Sequence, residues 1–557
     1  MNSSGRKFGY RILEIIPGLA VWVTFVGAIL LSRFLPLWVA IYIILFDLYW
    51  VLKAINTALH LLSSFFKLRL YSAYDWHARL EALRNPAAYI RTLKVRSRSA
   101  ATGRERKDLR EEAARLEKIS WNNRILDREQ IYNVVLLPTY KESLEVLDHS
   151  IRSVAEADWD GPVYFILAIE EREGAPAREK AAVLTERYRE KFWQFEVAEH
   201  PDGIAGEIKA KGANLTFAAR RATAVLRERG VSVERVLVSA FDSDTVVGKN
   251  YFACLTYAFL TAAQPYRTSY QPMPVYNNNI WDAPAITRVV AVANSFWQLV
   301  EASRPDRLVT FSSHAMTLRA LLDVGYWPVD AVSDDSQIFW RCWLHYHSDY
   351  RTTPVFTTVS LDAMLDETYW KTLLGQYKQK RRWAYGIENF PYLVTNAFAD
   401  KRIPLWKKFL FTERMFEAFY FWATASIIIT ALGWLPLILG VEHFGDGVMA
   451  TNLPLLTRSI MQIATLFLIF SVYINMVLIP KRPPQYSRWR SISMILQWVF
   501  VPIVSTIFGA VPAVDSMTRL MFGRYMQFWV TPKARKGRIV DPATVFPSRR
   551  EQKVISR

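Results

Sequence analysis

Cysteine is scarce in this sequence, with only two residues, Cys254 and Cys342, among 557. They lie far apart and neither belongs to a CxxC pair, so the pattern excludes a disulfide framework and a cysteine zinc site. We therefore expect the part of the chain that carries them to face a reducing, cytosolic compartment.

Long apolar runs are missing from the middle of the chain and are confined to its two ends. Residues 15–32 and 35–55 form two runs near the N-terminus, and residues 416–440 and 459–480 form two more. Each run is long enough to cross a bilayer as a helix. No small-residue cleavage site follows the first run, so no removed signal peptide is expected. The distribution predicts a multi-pass membrane protein with a soluble centre.

Acidic residues are too few to balance the basic ones, since 69 Lys and Arg stand against 51 Asp and Glu. The formal charge of +18 lies in short basic runs beside the apolar blocks. Anionic lipid and the positive-inside rule account for these runs, and no nucleic-acid partner is expected. By the same rule, the soluble centre faces the cytosol of a bacterial inner membrane or an equivalent plasma membrane.

One further apolar block, residues 492–514, is interrupted by Pro502, Gly509 and Pro512 and has basic residues on both flanks. Because both flanks favour the inner face, the block is predicted to form a re-entrant hairpin or an interfacial helix pair.

The soluble centre alternates between strand-like and helix-like segments. Strand patterns occupy residues 131–138, 163–171 and 235–242, with helical patterns between them, and residues 271–280 are predicted to be a loop. This alternation predicts an α/β domain whose ligands bind at the carboxyl ends of the strands. The charged stretch 70–123 is typical of a solvated helical linker.

Two aspartates, Asp242 and Asp244, follow the third strand pattern. Alternate positions of an extended chain point to one side. Mg²⁺ commonly takes one or two protein carboxylates and fills its other positions with substrate phosphates. The spacing thus suits a metal site for a nucleoside diphosphate, with an ordinary Asp-Ser-Asp turn as the alternative.

Five short motifs follow one another along the chain. They are PTYKE at 138–142, KGAN at 211–214, DSD at 242–244, SDD at 333–335 and QKRRW at 379–383. In this order, and bracketed by membrane spans, they resemble the membrane-embedded family 2 glycosyltransferases of the cellulose, hyaluronan and chitin synthase group. The resemblance implies an α/β domain of GT-A type, which binds a nucleotide sugar, inserted between N- and C-terminal transmembrane helices.

These patterns divide the chain into five predicted segments. Residues 1–56 form an N-terminal transmembrane helix pair, and residues 57–129 form the cytosolic linker. Residues 130–390 form the glycosyltransferase domain with an amphipathic interface helix, residues 391–514 form C-terminal transmembrane or interfacial helices, and residues 515–557 form a cytosolic tail.

The resemblance implies a donor site at the first strand ends. The implied donor-binding residues are Thr139, Tyr140, Glu142, Glu170, Lys211, Asp242, Asp244 and Arg382, and Asp242 and Asp244 would hold Mg²⁺ or Mn²⁺. Lys211 would lie near the diphosphate because Gly212 lets backbone approach a ligand closely. A surface lysine that precedes a helix is the alternative for Lys211.

The resemblance also implies the catalytic residues. Asp335, with Asp334 beside it, is the implied general base, because a sugar hydroxyl must lose its proton as it attacks an anomeric carbon. The alternative is that the two carboxylates only stabilise a helix start. Arg382 is the implied leaving-group residue, since a guanidinium binds a diphosphate bidentately. A single base without a second carboxylate for double displacement predicts inversion of the anomeric centre.

For the acceptor, the implied residues are His314, Gln379 and Trp383, and the indole of Trp383 offers a face for a pyranose. His314 could equally be a hydrogen-bonded structural histidine. The basic run 378–382 could alternatively anchor the chain to the inner leaflet through snorkelling side chains.

Near the C-terminus, the sequence FWVTPK at 528–533 resembles the FxVTxK gating loop of cellulose synthases. Phe528, Thr531 and Lys533 would then close over bound donor. The alternative is a tail in which the basic residues at 533–538 bind anionic lipid.

Together these features predict an inverting, processive enzyme that transfers sugar from a nucleotide sugar such as a UDP sugar to a β-linked polysaccharide and passes the product across the bilayer. A non-processive enzyme that glycosylates a membrane lipid is the first alternative, favoured by the modest number of spans. A catalytically silent subunit of a polysaccharide exporter is the second, but it has no need of the catalytic carboxylates and the arginine together.

Overall fold

The computed structural model describes residues 3–122, 124–440, 451–455, 457–459, 462, 473–474 and 476–533. These residues divide into two compact units. The sheet unit comprises Ser63–Asn278 and Glu301–Asp362, and the helical unit comprises the described residues of Met1–Leu62, Asn279–Val300 and Ala363–Arg538.

The sheet unit is built on one mixed sheet of eight strands. The strands are β1 (Tyr132–Pro138), β2 (Val163–Glu170), β3 (Gln194–His200), β4 (Val236–Ala240), β5 (Val246–Val247), β6 (Thr268–Tyr276), β7 (Ala315–Thr317) and β8 (Arg351–Leu361), in the spatial order β3-β2-β1-β4-β7-β6-β8-β5. The first four strands are parallel, and β7 runs antiparallel to both β4 and β6. The carboxyl ends of β1, β2 and β4 therefore meet at one edge, where parallel sheets bind their ligands.

Helices accompany this sheet in the same unit. They are Trp76–Ala82, Pro86–Arg98, Gly103–Glu117, Leu144–Ala155, Ala175–Tyr188, Lys211–Glu228, Tyr251–Leu260, Leu318–Val324 and Asp334–His345. Several begin at a side-chain cap, as where Ser143 accepts a hydrogen bond from the Val146 amide. Such caps satisfy amides that a helix start leaves without partners.

The three predicted strands are confirmed as β1, β2 and β4, but the other five strands of the sheet were not predicted. Residues 271–276 of the predicted loop belong to β6, which pairs with β8 and shifts register between Pro272 and Met273. Pro272 and Pro274 lower the strand signal of the sequence, because proline cannot donate to a sheet ladder. β3 was also missed, and most of its residues are only half-buried.

The stretch predicted to be a solvated linker contributes to the core of the sheet unit. Leu80, Leu93 and Leu109 are buried in the same apolar cluster as the strands. Arg79 also donates to both carboxylate oxygens of Glu112, at 2.8 and 2.7 Å, and both side chains are buried. The stretch is rich in charged residues, so composition alone suggested a linker. The boundaries of segment 57–129 as a separate domain stay a prediction.

The helical unit contains the apolar ends of the chain. Its helices are Ser3–Phe34, the first part of Pro36–Ser72, most of Ala285–Ala302, Tyr369–Ala384, Asn389–Ala399, Leu405–Thr430, Leu435–Leu439, Arg488–Leu496, Val501–Ser505 and Val511–Met521. Among the described residues, three helices are long and apolar enough to cross a membrane: Phe8–Phe34, Pro36–Ser72 and Arg488–Met521. A fourth results if Leu405–Thr430 and Leu432–Leu439, bent by 47°, count as one span.

The hairpin predicted at residues 492–514 is wrong. Residues 488–521 form one helical run in which short segments of tighter and wider helix connect the three regular pieces. Pro502 and Pro512 each stand in the first turn of a regular piece, directly after a segment of tighter or wider helix. The prolines are thus accommodated without a chain reversal. Most of the predicted span 459–480 lies outside the described residues.

Candidate functional site

The carboxyl end of β1 is organised by the side chain of Glu142. Its carboxylate accepts hydrogen bonds from the Thr139 hydroxyl at 2.8 Å and the Tyr140 amide at 2.6 Å. It also accepts one from the Ser243 hydroxyl at 2.8 Å. Glu142 therefore joins the end of β1 to the Asp-Ser-Asp segment after β4, and three predicted donor-binding residues lie together here.

Tyr140 and Glu170 meet through an arginine that the sequence interpretation missed. The Arg172 guanidinium lies 3.9 Å from the centre of the Tyr140 ring and also pairs with the carboxylate of Glu170. Stacking of a planar cation on an aromatic face is favourable. The predicted donor-binding residues after β1 and β2 are thus connected.

Lys211 lies between two carboxylates that the sequence places far apart. Its Nζ is 2.6 Å from Asp242 Oδ1 and 3.0 Å from Asp335 Oδ1. Burial alone would lower the pKa of Lys211, but the charges of Asp242, Asp335 and Asp334 outweigh it and raise the pKa above its ordinary value. The lysine is therefore a permanent cation inside the cluster rather than a surface residue.

Gly212 allows the helix that begins at Lys211 to start close to a neighbouring loop. A Cβ atom at this position would lie 2.3 Å from the Pro328 carbonyl oxygen and 3.0 Å from the Cβ of Asp334. No side chain fits at 2.3 Å from a backbone oxygen. The glycine therefore lets Lys211 reach the carboxylates. The close approach that Gly212 permits is to the Pro328 backbone and not to a ligand.

Asp334 and Asp335 stand side by side at the start of the helix Asp334–His345 but differ in accessibility. Asp334 is 3% exposed and lies against Gly212, whereas the Asp335 side chain is 25% exposed. A general base must reach its substrate. Of the two, the geometry favours Asp335.

Asp244 is buried and held from the end of β8. Its Oδ2 accepts a hydrogen bond from the Asp362 amide at 2.7 Å. The Asn278 side chain donates to the Asp244 carbonyl and to the Asp362 carboxylate, both at 2.9 Å. Asp362 and Asn278 were not predicted from the sequence, because both are far from Asp244 along the chain and no local pattern shows that they contact it.

The turn Thr310–His314 contacts the carboxylate of Asp242 and the backbone of Asp335. Ser312 donates to Asp242 Oδ2 at 2.5 Å, and Thr310 donates to the main-chain carbonyl of Asp335 at 2.6 Å. Neither hydroxyl carried a signal in the sequence, since serine and threonine are common in turns.

His314 is completely buried in the sheet unit. Its Nδ1 is 2.9 Å from the Phe311 carbonyl and its Nε2 is 3.3 Å from the Trp327 indole nitrogen. Burial lowers the pKa of His314, although the Asp335 charge opposes this effect. A neutral ring that donates from Nδ1 and accepts at Nε2 satisfies both contacts, which favours the structural alternative over acceptor contact.

The motif residues Gln379, Arg382 and Trp383 lie on the helix Tyr369–Ala384 of the helical unit. Gln379 is buried and accepts a hydrogen bond from Gln376 at 3.0 Å. The Arg382 guanidinium lies 4.6 Å from the centre of the Phe528 ring. The helix therefore contacts the segment predicted to be the gating loop.

Within residues 528–533, Trp529 also contacts this helix, and Lys533 pairs with the segment that precedes it. The Trp529 ring lies near Gly375 and 5.6 Å from the Lys378 ammonium, and Lys533 forms a parallel backbone bridge with Leu365. Thr531 is buried. The structure thus brings Phe528 and Arg382 together, while the remaining basic residues of the tail, at 535–538, lie outside the described residues.

For the metal, the described residues contain no cluster of three or more His, Cys, Asp or Glu side chains with suitable geometry. A pair of aspartates suffices for an ion that takes its other ligands from phosphates. The hard carboxylate oxygens of Asp242 and Asp244 suit Mg²⁺ or Mn²⁺.

Comparison with known proteins supports a glycosyltransferase. The family model described as "Glycosyl transferase family group 2" matches residues 237–508, slightly less than half of the chain. The match supports a family 2 glycosyltransferase that acts on a nucleotide sugar, and it includes the segments that carry Asp242, Asp335 and Arg382. No curated protein matches the chain in sequence.

Similarity to solved structures is distant. The mannosyltransferase PcManGT from Pyrobaculum calidifontis, in complex with GDP-Man and Mn²⁺, has 13% sequence identity and a TM-score of 0.38, over 78% of this chain and 100% of that one. S. aureus TarS 1-349 has 12% identity and a TM-score of 0.31, over 61% and 91%. Glucosyl-3-phosphoglycerate synthase from Mycobacterium tuberculosis, in complex with Mn²⁺, uridine diphosphate and phosphoglyceric acid, has 12% identity and a TM-score of 0.30, over 49% and 80%. Scores this low decide nothing about the donor, metal or acceptor of this chain.

Proposed function

We propose that this chain is an inverting, metal-dependent glycosyltransferase with a GT-A-type domain, and that it extends a β-linked polysaccharide from a nucleotide sugar such as a UDP sugar. The observation that carries the proposal is the cluster of Asp242, Lys211 and Asp335. The Lys211 ammonium lies 2.6 Å from Asp242, a carboxylate suited to a metal-bound diphosphate. It lies 3.0 Å from Asp335, a carboxylate suited to proton removal.

Asp335 acts as the general base. The acceptor hydroxyl gives its proton to the Asp335 carboxylate as its oxygen attacks the anomeric carbon. The bond between that carbon and the diphosphate oxygen breaks at the same time, and the nucleoside diphosphate leaves with the electron pair. Because attack and departure occur on opposite faces, the anomeric configuration inverts. A positioned base of this kind contributes about 10²- to 10⁴-fold to rate.

Lys211 and Arg382 bind the departing diphosphate. Lys211 is held as a cation by its carboxylate neighbours. Arg382 presents a planar guanidinium that can meet two phosphate oxygens at once. Positive charge that is fixed before the reaction stabilises the negative charge that develops on the leaving group.

Asp242 and Asp244 would hold Mg²⁺ or Mn²⁺. When bound, such an ion neutralises the diphosphate oxygens and orients them. The hydrogen bond from the Asp362 amide fixes the Asp244 carboxylate, and Ser312 and Lys211 fix that of Asp242. Both side chains are therefore oriented by the protein itself.

The nucleoside of the donor binds beside Thr139, Tyr140, Glu142 and Glu170. The contacts among these residues and Arg172 support a pocket at the ends of β1 and β2. Gln379 and Trp383 contact the acceptor, with the sugar stacked on the indole face. His314 supports the turn Thr310–His314 instead, because both of its nitrogens have partners within the protein.

Phe528, Thr531 and Lys533 form the gating loop. The contact of Phe528 with Arg382 supports a loop that responds to the diphosphate. Closure excludes water, so the activated sugar meets the acceptor hydroxyl rather than solvent. The catalytic domain faces the cytosol of a multi-pass membrane protein, and the product crosses the bilayer.

The test is transfer by the purified full-length protein in detergent. A panel of UDP and GDP sugars with Mg²⁺ or Mn²⁺ is assayed for nucleotide release. Asp244→Asn is expected to abolish turnover and weaken metal-dependent donor binding, whereas Asp349→Asn, an exposed aspartate paired with Arg267, is expected to retain both. Turnover that persists in chelator, or in Asp244→Asn, would overturn the metal-dependent mechanism.

Transfer of a single sugar to a membrane lipid is the second candidate. The three or four candidate spans among the described residues are few for polymer export, which favours it. The size distribution of radiolabelled product separates the two activities, because a processive enzyme makes long chains while donor remains in excess.

A further inference from the structure

The hydroxyl of Ser312 makes a short hydrogen bond to a carboxylate of the candidate site. It donates to Asp242 Oδ2 at 2.5 Å, while Lys211 donates to Oδ1 of the same carboxylate at 2.6 Å. The last torsion of an aspartate is broad and roughly two-fold, so a carboxylate with one partner can still rotate about it. With one donor on each oxygen, the plane of the Asp242 carboxylate is fixed.

The turn that carries Ser312 is held rigidly from within the sheet. Gln271 on β6 is completely buried, and its side chain clamps the turn at two points. The Gln271 Oε1 accepts from the Phe311 amide at 2.7 Å, and its Nε2 donates to the Ser312 carbonyl at 3.1 Å. A buried amide that satisfies two consecutive backbone groups fixes their position.

The turn also contains a strained residue. Ser313 has a φ of +62°. This value lies in the left-handed region that serine rarely adopts. Its hydroxyl lies 2.8 Å from that of Thr245, which in turn accepts a hydrogen bond from the Asp242 amide at 3.0 Å. Strain of this kind persists only where the surroundings enforce it, and it is concentrated at functional sites.

The same turn contacts the general base. Thr310 donates to the Asp335 carbonyl at 2.6 Å, and His314 Nδ1 is 3.7 Å from Asp335 Oδ1. One turn of five residues thus contacts the proposed metal ligand at its centre and the proposed base at its ends.

We infer that Ser312 is a positioning residue for the transfer reaction: through its hydroxyl, and with Gln271 as the anchor of its turn, it sets the orientation of the Asp242 carboxylate toward the metal-bound diphosphate. The inference rests on the proposed function, because it assigns Ser312 a task only if Asp242 serves a nucleotide-sugar donor.

The test measures binding of UDP with Mn²⁺ to the full-length protein in detergent by calorimetry, together with the thermal midpoint of each variant. Ser312→Ala removes the hydroxyl and is expected to weaken binding about 10-fold, the order expected for a hydrogen bond to a charged group. Ser312→Thr keeps a hydroxyl and is expected to restore binding to within about 3-fold. Kinetically, Ser312→Ala is expected to raise the donor KM more than it lowers kcat.

Ser269→Ala is the matched control. Ser269 is also a completely buried serine of the sheet, but its hydroxyl contacts Tyr350 at 2.6 Å and no carboxylate of the site. It is expected to lower the thermal midpoint without changing the affinity for UDP with Mn²⁺. Gln271→Leu, which keeps the size of the side chain but loses both clamps, is expected to weaken binding at least as much as Ser312→Ala.

The outcomes are distinct. If Ser312→Ala binds UDP with Mn²⁺ as the wild type does, or if its loss of affinity follows its thermal midpoint as in Ser269→Ala, the positioning role is excluded. If Ser312→Thr fails to restore binding although it folds, the hydroxyl is not the cause. Failure of the wild-type protein itself to bind any nucleoside diphosphate would instead reject the proposed function.

Discussion

At the scale of single residues, the candidate site is governed by how charges are shared. Lys211 is one ammonium between two carboxylates, and Asp335 keeps a quarter of its side chain exposed. The lysine limits the electrostatic repulsion between the two carboxylates. Because its side chain is accessible, the Asp335 carboxylate can meet an acceptor hydroxyl without any rearrangement of the chain.

Replacement of Asp335 by asparagine is therefore expected to separate chemistry from donor binding. The amide cannot accept the acceptor proton, so transfer falls by about 10²-fold or more. Binding of the nucleoside diphosphate stays near the wild-type value, because Asp242 and Lys211 remain. Single-turnover transfer and equilibrium binding, measured on the same preparation, check the two halves of this expectation. Unchanged transfer would remove Asp335 from the mechanism and make Asp334 the next candidate.

Lys380 is the residue for which a pH effect is expected. Its ammonium lies 5.2 Å from the Trp383 ring centre, 5.1 Å from that of Trp422 and 2.9 Å from the Asn294 side-chain oxygen. Burial lowers the pKa of Lys380 to about 8. Below that pH the amine is a cation over the Trp383 ring, and the cation–π contact orients the indole.

Because a lowered pKa means that the charge is lost as pH rises through about 8, the acceptor KM is expected to increase between roughly pH 7 and pH 9. The test compares acceptor KM across this range in the wild type and in Lys380→Arg, whose guanidinium stays charged throughout. The arginine variant should show a flat profile. An equally steep profile in both proteins would assign the titration to another group.

At the scale of elements, the helix Tyr369–Ala384 is held from two sides. Asp515 on the helix Val511–Met521 accepts hydrogen bonds from Arg381 at 3.0 Å and Tyr377 at 3.1 Å. On the other side, the segment 528–533 contacts the helix through Phe528 and Trp529. The helix thus has a fixed rotation, which decides where Arg382 and Trp383 point.

Replacement of Phe528, Thr531 and Lys533 by alanine tests whether this segment gates the reaction. Synthesis is expected to fall because donor hydrolysis competes with transfer when water is not excluded. Membrane insertion is expected to persist, since the basic residues at 535–538 are retained. Synthesis and membrane-bound protein are measured together, with Trp370→Ala, an exposed residue of the same helix, as the control. Wild-type synthesis from the triple variant would leave only the lipid-binding alternative for the tail.

At the scale of the whole molecule, the helices before the sheet are part of its core. Arg79 and Glu112 form a buried ion pair, the Arg79 guanidinium lies 3.8 Å from the Tyr74 ring centre, and the Tyr257 hydroxyl also donates to Glu112. Three separate parts of the sheet unit meet at this pair. Because of these contacts, the stability of the sheet depends on the helices Trp76–Ala82 and Gly103–Glu117, which precede β1 in the sequence.

Arg79→Met is expected to destabilise the protein by about 3 to 5 kcal/mol, because the Glu112 charge would stay buried without its partner. The matched control is Arg84→Met, since Arg84 pairs with Glu81 and Glu129 at the surface and its side chain is 46% exposed. Exposed pairs of that kind contribute about 0 to 1 kcal/mol. Thermal midpoints in detergent compare the two. Equal midpoints would show that the helices Trp76–Ala82 and Gly103–Glu117 are only loosely attached.

The sequence by itself determined the features that depend on neighbours along the chain. Apolar runs of sufficient length predicted the helices Ser3–Phe34 and Pro36–Ser72, and alternating strand and helix patterns predicted β1, β2 and β4. The short motifs identified Asp242, Asp335 and Arg382, and the family comparison supports the glycosyltransferase class that they indicated. These signals survive because hydrophobic periodicity and motif spacing are local properties.

Only the tertiary structure decided which of these residues meet. Lys211 lies 31 positions from Asp242 and 124 positions from Asp335, yet one ammonium contacts both. Distant segments also supply the other contacts of the site. Ser312 contacts Asp242, Gln271 binds the Phe311 amide, and Trp327 donates to the buried His314. The order of the strands in the sheet brings these segments together. That order depends on burial and backbone pairing over the whole unit, which no local pattern encodes.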